Sequence, residues 1–439
     1  MSLLSRDVDS LVDAFVAGEW TEPSMLHRCG VIVDGKPKWL PFLIQRVLKR
    51  FPGVRPTRRA LTDFLYEDRR LAAASERITT LTNHIRMNSE FDCQLTSLKS
   101  SVRPTWTTVR QLADWFDLPV EHLLWFADSS QIGRQHPHGP LCHYHYRWVE
   151  KRRSGRRLIE SPKPGLRQMQ RRLLNECLRH LPVHDAAHGF CKGRSVDTFV
   201  QSHTGRQVVL RMDLQNYFPS LRPFRLMRLL MLAGYPEVVA RTLSNLCTNT
   251  TPSSVLRDYS SISLSNSDRH LTVLLRQPHF PQGAPTSPLI ANLLSYRLDA
   301  RLQGLAQSAG IHYSRYADDL LFSGDERFRR CVKQFRIHVA AIVIAEGLNV
   351  NHRKSRIMLQ SRQQRATGLV LNQHPAVSRR DFDLLKAILH NCIRFGPQTQ
   401  NHSGIDNFRM HLLGRIQHMA RYHPSRAQKL MHSFEQITF

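Results

Sequence analysis

The stretch Ile311-His312-Tyr313-Ser314-Arg315-Tyr316-Ala317-Asp318-Asp319-Leu320-Leu321-Phe322-Ser323 sets two adjacent acids between aromatic and aliphatic residues. This pattern predicts a β-hairpin with Asp-Asp at its turn. Two neighbouring carboxylates in an apolar setting repel each other and need a cation to stay ionised. An acidic hairpin turn on its own is an ordinary structural feature, so its chemistry depends on what the rest of the chain brings to it.

About a hundred residues upstream, Val208, Leu210 and Met212 alternate with Val209, Arg211 and Asp213, as in a strand with the acid at its carboxyl end. Asp213 supplies the third carboxylate. A hard divalent ion such as Mg²⁺ suits carboxylate oxygens and takes its remaining ligands from water and substrate phosphates. Two such ions would activate a primer 3′-hydroxyl and stabilise a pyrophosphate leaving group. Side chains alternate faces along a strand, so Asp318 and Asp319 cannot point the same way. Asp318 is expected to be the principal ligand with Asp213, and Asp319 a secondary one.

Between the acids, Pro281-Gln282-Gly283-Ala284-Pro285-Thr286-Ser287-Pro288 reads as a tight turn leading into a helix, with Ser287 as N-cap and Pro288 at the first helical position. The turn would place Gln282 and backbone N–H groups against an incoming nucleotide. Upstream, Lys151, Arg152, Arg153, Arg156 and Arg157 cluster around Gly155, and Lys163, Arg167, Arg171 and Arg172 follow on a helix. Such a cluster suits a triphosphate and a template backbone. His136, His138, Cys142, His143 and His145 also lie close together, but their spacing matches no standard zinc module.

Lys and Arg outnumber Asp and Glu by 62 to 35, giving a formal net charge of +27, so the surface must attract polyanions, phosphate backbones foremost. No apolar run is long enough to span a membrane, and the N-terminus has no signal-like stretch, so a soluble, cytoplasmic protein is expected. The eight cysteines are scattered without a Cys-x-x-Cys pair, which suits reduced thiols.

Residues 1–139 read as mainly helical, with apolar periodicity over 10–16, 41–51 and 58–71. The string TTVRQLADWFDLPVEHLLWFA (107–127) predicts two short helices about a turn. That pair is either packed on the next domain or a helix-turn-helix reader of DNA. Residues 206–372 alternate strand-like and helix-like runs, the texture of an α+β domain, and the chain after Asn372 is helical again. Residues 248–268 are polar and Ser-rich, which suggests an exposed insertion.

These residues together resemble bacterial retron-type reverse transcriptases. The matching blocks, in family order, are RRLIESPKPGLRQMQRRLL (156–174), AHGFCKGRSV (187–196), VVLRMDLQNYFPSL (208–221), PQGAPTSPLIANLLSYRLDARL (281–302), YSRYADDLLFSG (313–324), GLNVNHRKSRIM (347–358) and RATGLVLN (365–372). Ala366-Thr367-Gly368 stands where retron enzymes carry Val-Thr-Gly, and the Asn-Ala-x-x-His string of many retron enzymes is absent.

The resemblance implies a right-hand polymerase with a helical N-terminal region (1–139), fingers (140–206), palm (207–372) and thumb (373–439). It implies catalysis by Asp213, Asp318 and Asp319, with Leu214 joining them in the metal-holding set. Phe218 matches the bulky side chain that excludes a ribose 2′-hydroxyl, Gln282 the glutamine beside the nucleotide, Arg157 the arginine on its triphosphate, and Lys354 a lysine near that site. Lys151, Arg152, Arg153, Arg167 and Arg171 are the expected nucleic-acid contacts. The cofactors are two Mg²⁺ ions, and the substrates are deoxynucleotides. The partners are a structured non-coding RNA template and its RNA–DNA product; the family also admits a toxin or effector protein and oligomers. An anti-phage role follows by analogy alone. The alternatives are a defence polymerase with protein priming or non-standard templating, a non-catalytic RNA-binding scaffold, and a DNA-reading regulator.

Overall fold

The computed structural model describes residues 8, 11–12, 14–16, 20–32, 38–52, 56, 58–68, 71, 103–129, 132–136, 139–150, 156–260 and 266–439. The chain divides into two compact units, Met1–Phe91 and Asp92–Phe439.

The described residues of the first unit form helices, among them α1 (Glu22–Ile32), α2 (Trp39–Arg50) and α3 (Arg58–Glu67). Leu40, Leu43, Ile44 and Val47 recur at helical spacing on α2 and are buried with Leu11, Phe15, Met25, Leu61 and Leu65. The periodicity of 41–51 and 58–71 anticipates α2 and α3; α1 carries a weaker pattern and is not anticipated.

The second unit opens with the short pair α4 (Val109–Trp115) and α5 (Val120–Ala127). Trp106 stacks on Tyr235 with ring centroids 5.6 Å apart, and the Arg172 guanidinium lies 4.4 Å from the Trp115 ring. The pair is thus packed onto its own unit, as the first of the two expectations had it. The hairpin β1 (Tyr144–Glu150) and β2 (Arg156–Pro162) follows, then α6 (Pro164–Glu176) and α7 (Val196–Gln201).

A five-stranded antiparallel sheet carries the acids. Its strands are β3 (Val208–Gln215), β4 (His312–Tyr316), β5 (Asp319–Gly324), β6 (Asn349–Val350) and β7 (Arg356–Leu359). The central strand, β3, pairs with β5 along one edge, and with β7 and then β6 along the other. It continues two residues beyond Asp213, so the acid sits inside the strand and not at its end.

Between β3 and β4 lie the one-turn α8 (Tyr217–Ser220), then α9 (Pro223–Leu232), α10 (Glu237–Leu246), α11 (Ser253–Ser260), α12 (Asn266–Leu275), α13 (Ser287–Leu294) and α14 (Tyr296–Ser308). Helix α13 begins at Ser287 itself with Thr286 in the cap position, one residue earlier than its Pro288 suggests. The described side chains of the polar stretch, 248–257, are not a loose insertion. Leu256 of α11 and Leu271 and Leu275 of α12 bury against Leu158 of β2, and Thr250 and Thr251 are buried too. Only a few leucines at helical spacing carry this packing, and the surrounding serines mask it.

Helix α15 (Glu326–Ala345) connects β5 to β6; beyond β7 a small sheet of β8 (Arg365–Ala366), β9 (Leu369–Val370) and β10 (Ala376–Val377) leads to α16 (Arg379–Phe395), α17 (Phe408–Ala420) and α18 (Pro424–Glu435). These last helices close on Val209 and Leu321 through Leu369, Leu371, Leu385, Leu389 and Ile416. Among the described residues no helix is long and apolar enough to cross a membrane.

Candidate active site

Strand register brings the acids together. Asp213 of β3 lies opposite Asp319 of β5, and Tyr316 pairs with Asp319 across the hairpin, leaving Ala317 and Asp318 as the two-residue turn. Ala317 takes a left-handed backbone (φ 53°), a conformation in which a non-glycine residue must be held by its surroundings. Several groups hold it. The Leu214 N–H donates to the Asp318 carbonyl at 2.8 Å, and Arg315 donates to the Ala317 carbonyl at 3.1 Å. A Cβ on Gly189 would stand 2.9 Å from the Ala317 nitrogen, so glycine is needed for the 187–191 segment to press this close.

Arg315 is fully buried. It forms a forked pair with Asp299 (2.8 and 2.6 Å) and also donates to the Tyr217 hydroxyl (3.0 Å) and the Asn292 side-chain oxygen Oδ1 (2.9 Å). One guanidinium thereby ties α8, α13 and α14 to the turn, in the bidentate geometry that arginine favours. Sequence reasoning missed it, because nothing local marks Asp299 as its partner.

The three carboxylates differ. The Asp213 side chain is nearly buried; its Oδ2 accepts from Lys354 Nζ at 2.9 Å, whereas its Oδ1 is buried without a hydrogen-bond partner. Burial, and then the charges of Asp213 and Asp319, push the Asp318 carboxyl up to about 6, against the pull of Lys354. Asp319 is engaged elsewhere: Arg211 Nη2 donates to both of its oxygens at 2.8 Å, and Nε to Oδ1 at 2.9 Å. Burial still raises the Asp319 carboxyl above the ordinary carboxylate range, though Arg211 opposes it.

This donor set fits a hard divalent cation. An orphaned buried carboxylate oxygen and a carboxyl held above its ordinary pKa are what a missing positive charge leaves behind. Two carboxylates suffice for Mg²⁺, which keeps water and phosphate oxygens as its other ligands. No three His, Cys, Asp or Glu side chains converge as a metal group among the described residues. The Leu214 side chain is buried on the opposite face of the sheet, so only its main chain is available here.

Around the acids, Phe218 is half-buried on α8 with its ring centroid 5.5 Å from that of Tyr217. The Gln282 carbonyl accepts from the Glu160 N–H at 2.9 Å, and a Cβ on Gly283 (φ 134°) would stand 2.8 Å from the Glu160 carbonyl oxygen. Glu160 itself is buried against His279 at 2.7 Å and accepts from Asn249 and Thr251. Burial opposes charge on both partners, but their mutual attraction holds Glu160 below and His279 above their ordinary values. The β1–β2 hairpin is thus joined to the Pro-Gln-Gly turn through Glu160.

The structure does not bring the whole basic cluster into play. Arg157 and Arg171 are exposed, but Arg167 turns back to the Pro162 carbonyl (2.8 and 3.1 Å) and Arg172 pairs with Asp117 at 3.0 Å. Lys151, Arg152 and Arg153 lie outside the described residues. Of the His/Cys group, Cys142 donates to the Tyr144 carbonyl and His143 bonds to the Trp125 carbonyl, while His138 is outside the described residues.

A sheet that presents paired acids at a hairpin turn, beside a basic hairpin and a Pro-Gln-Gly turn, defines a template-directed nucleotidyl-transfer polymerase with a right-hand fold. The family profile described as "Reverse transcriptase (RNA-dependent DNA polymerase)" matches residues 149–371. The retron Mx65 reverse transcriptase of Myxococcus xanthus is 35% identical over 74% of this chain and 71% of its own length. The retron Mx162 reverse transcriptase of the same organism is 36% identical over 66% of this chain and 60% of its own. Among solved structures, a telomerase from Candida albicans in complex with a fragment of telomeric RNA superposes loosely, with a TM-score of 0.31 and 13% identity over 66% of this chain and 56% of its own. The chain belongs to the reverse transcriptase family, as an RNA-directed DNA polymerase of the retron type.

Proposed function

We propose that the chain copies a structured non-coding RNA into DNA, with Asp213 and Asp318 holding two Mg²⁺ ions, as part of a retron-type anti-phage defence system. The observation that carries the metal assignment is the orphaned Oδ1 of Asp213 beside the turn carboxyl of Asp318. Mg²⁺ here supplies the positive charge that makes a primer 3′-hydroxyl acidic and offsets the charge building on the leaving pyrophosphate. The defence role is supported by kinship alone.

In this reading Lys354 pairs with Asp213 and orients it, and Arg211 opposes the burial that raises the Asp319 carboxyl, making Asp319 a support for the turn. Phe218 blocks the ribose 2′-position, Gln282 borders the nucleotide and Arg157 meets its triphosphate. Residues 140–206 act as fingers, 207–372 as palm and 373–439 as thumb.

The test is extension of a labelled oligo(dT) primer on poly(rA), and separately on the RNA that copurifies with the protein, with Mg²⁺ and deoxynucleotides. Incorporation that Asp318→Asn abolishes while RNA binding persists is the expected result. No incorporation on either template would overturn the reading.

A further inference from the structure

The acids and the long helix α15 lie on opposite faces of the sheet. Alternation puts Arg211, Asp213 and Asp319 on one face and Leu210, Met212, Leu320 and Phe322 on the other. Helix α15 covers the second face: Phe328, Val332, Phe335, Val339 and Val343 are buried, and Phe335 meets Phe322 with ring centroids 5.2 Å apart. Its outer side therefore looks away from the strand being extended.

That outer side is basic in a way that does not favour a solvated helix. Arg327, Arg329, Arg330, Lys333 and Arg336 are exposed, with two acids beside them: Asp325, which caps the helix, and Glu326, 3.4 Å from Arg329. Arg329 and Lys333, Arg330 and Lys333, and Lys333 and Arg336 sit three or four residues apart, the spacing at which like charges repel on a helix. Arg327 and Arg329 also fall in the first turn, where the helix dipole disfavours cations. At the other end Glu346 is shared by Arg225, Arg297 and Arg301, three cations for one acid, and Arg297 is 80% exposed. The exposed cations of the helix run from Arg327 to Arg336, about 14 Å, long enough to meet a few successive phosphates.

We propose that the outer face of α15, centred on Arg330, Lys333 and Arg336, is a second nucleic-acid surface. It grips the double-helical part of an RNA whose single strand is copied on the opposite face. This inference rests on the reading of the chain as a copier of structured RNA. Charge complementarity favours RNA: the uncompensated cations form a stripe matched to a phosphate backbone. An anionic membrane fits less well, because a membrane-surface helix inserts a continuous apolar face, and most apolar residues of α15 are buried on the sheet, with only Ile337 and Ile344 exposed as large apolar side chains.

The experiment uses the full chain with its catalytic face filled by saturating poly(rA)·oligo(dT). A labelled RNA hairpin with a 20-base-pair stem is then titrated in at several salt concentrations. The wild type is expected to form a ternary complex. The R330E/K333E/R336E variant is expected to bind the hairpin at least tenfold more weakly, with the slope of log K against log salt shallower by roughly 2. The variant's primer extension on poly(rA) should stay within twofold of wild type, which also reports its folding. Three results would each overturn the proposal: no ternary complex with wild type, equal hairpin binding by the variant, or lost extension on poly(rA), which would place α15 on the copying path. A loss confined to binding of phosphatidylserine vesicles would assign the surface to a membrane instead. Failure of wild type to extend poly(rA) at all would count against the polymerase reading and leave the binding titration to decide this one.

Discussion

Arg211 Nη2 reaches both carboxylate oxygens of Asp319 at 2.8 Å, although the two residues are 108 positions apart in the sequence. The neighbouring strand therefore answers half of the Asp-Asp pair internally, whereas Asp318 sits at the turn and Asp213 stays nearly buried beside Lys354. Replacing Arg211 with Gln removes the compensation and strands a mostly buried carboxylate. Without metal the fold should lose about 1–3 kcal/mol, and added Mg²⁺ should restore part of it. Thermal unfolding in EDTA and in magnesium measures this; an unchanged midpoint in EDTA would show that the pair contributes nothing.

Asp318 has a pH signature. Its folded pKa of about 6 lies above the ordinary 3.8, so the folded state binds this proton more tightly than the unfolded one. The stability linked to it is complete below 3.8 and lost as pH rises through about 6. In EDTA at pH 7.5, Asp318→Asn should accordingly be more stable than wild type, by on the order of 2 kcal/mol, with the advantage vanishing toward pH 4. Denaturant titration across this range decides; a variant less stable than wild type at pH 7.5 would contradict the assignment. Protons also compete with the cation, so the magnesium needed for half-maximal synthesis should rise as pH falls below about 6.

Gly283 combines a positive φ of 134° with a Cβ position 2.8 Å from the Glu160 carbonyl oxygen. Gly283→Ala should strain the turn by about 2 kcal/mol and shift Gln282 with it. Steady-state kinetics should show a raised KM for deoxynucleotide with a smaller change in kcat. Equal losses in both would mean that the turn serves the chemical step and not nucleotide binding.

Glu160 and His279 form a buried pair that fastens the segment after α12 to the β1–β2 hairpin, and Glu160 also holds the segment after α10 through Asn249 and Thr251. Glu160→Gln leaves His279 without its counter-charge and should cost about 3 kcal/mol. A stability within the error of wild type would show that His279 simply becomes neutral in the variant.

Phe218 is expected to govern sugar selection. Phe218→Ala should raise ribonucleotide incorporation relative to deoxynucleotide by at least tenfold, read by competitive primer extension. An unaltered ratio would move that role to another side chain.

The acids were legible because alternation along 207–213 and the aromatic flanks of 311–323 are local signals, and two such strands have few ways to pair. Their division of labour was only half legible. Asp318 falls in the turn, where a period of two no longer applies, and although Arg211 shares a face with Asp213 by that period, nothing near Arg211 names Asp319 as its partner. Asp299 is hidden for the same reason, since helix α14 shows only an ordinary polar position there. The stretch 248–268 misleads because its leucines are sparse and its Asn249 and Thr251 are satisfied by Glu160, which precedes them by about ninety residues.

Strand β3 sits at the centre of its sheet, and every ladder it joins is made with a partner that follows it in the chain, from Asp319 to Leu359. During synthesis, Val208 to Gln215 leaves the ribosome with both edges open and stays so until more than a hundred further residues have appeared. Such long-range pairing is slow to close and prone to sticking to other chains meanwhile. The nascent protein is therefore inert and vulnerable together: it can neither bind its cation nor hide its central strand until residue 359 is in place. Chaperone demand should fall on that interval of translation more heavily than on the helices that come after.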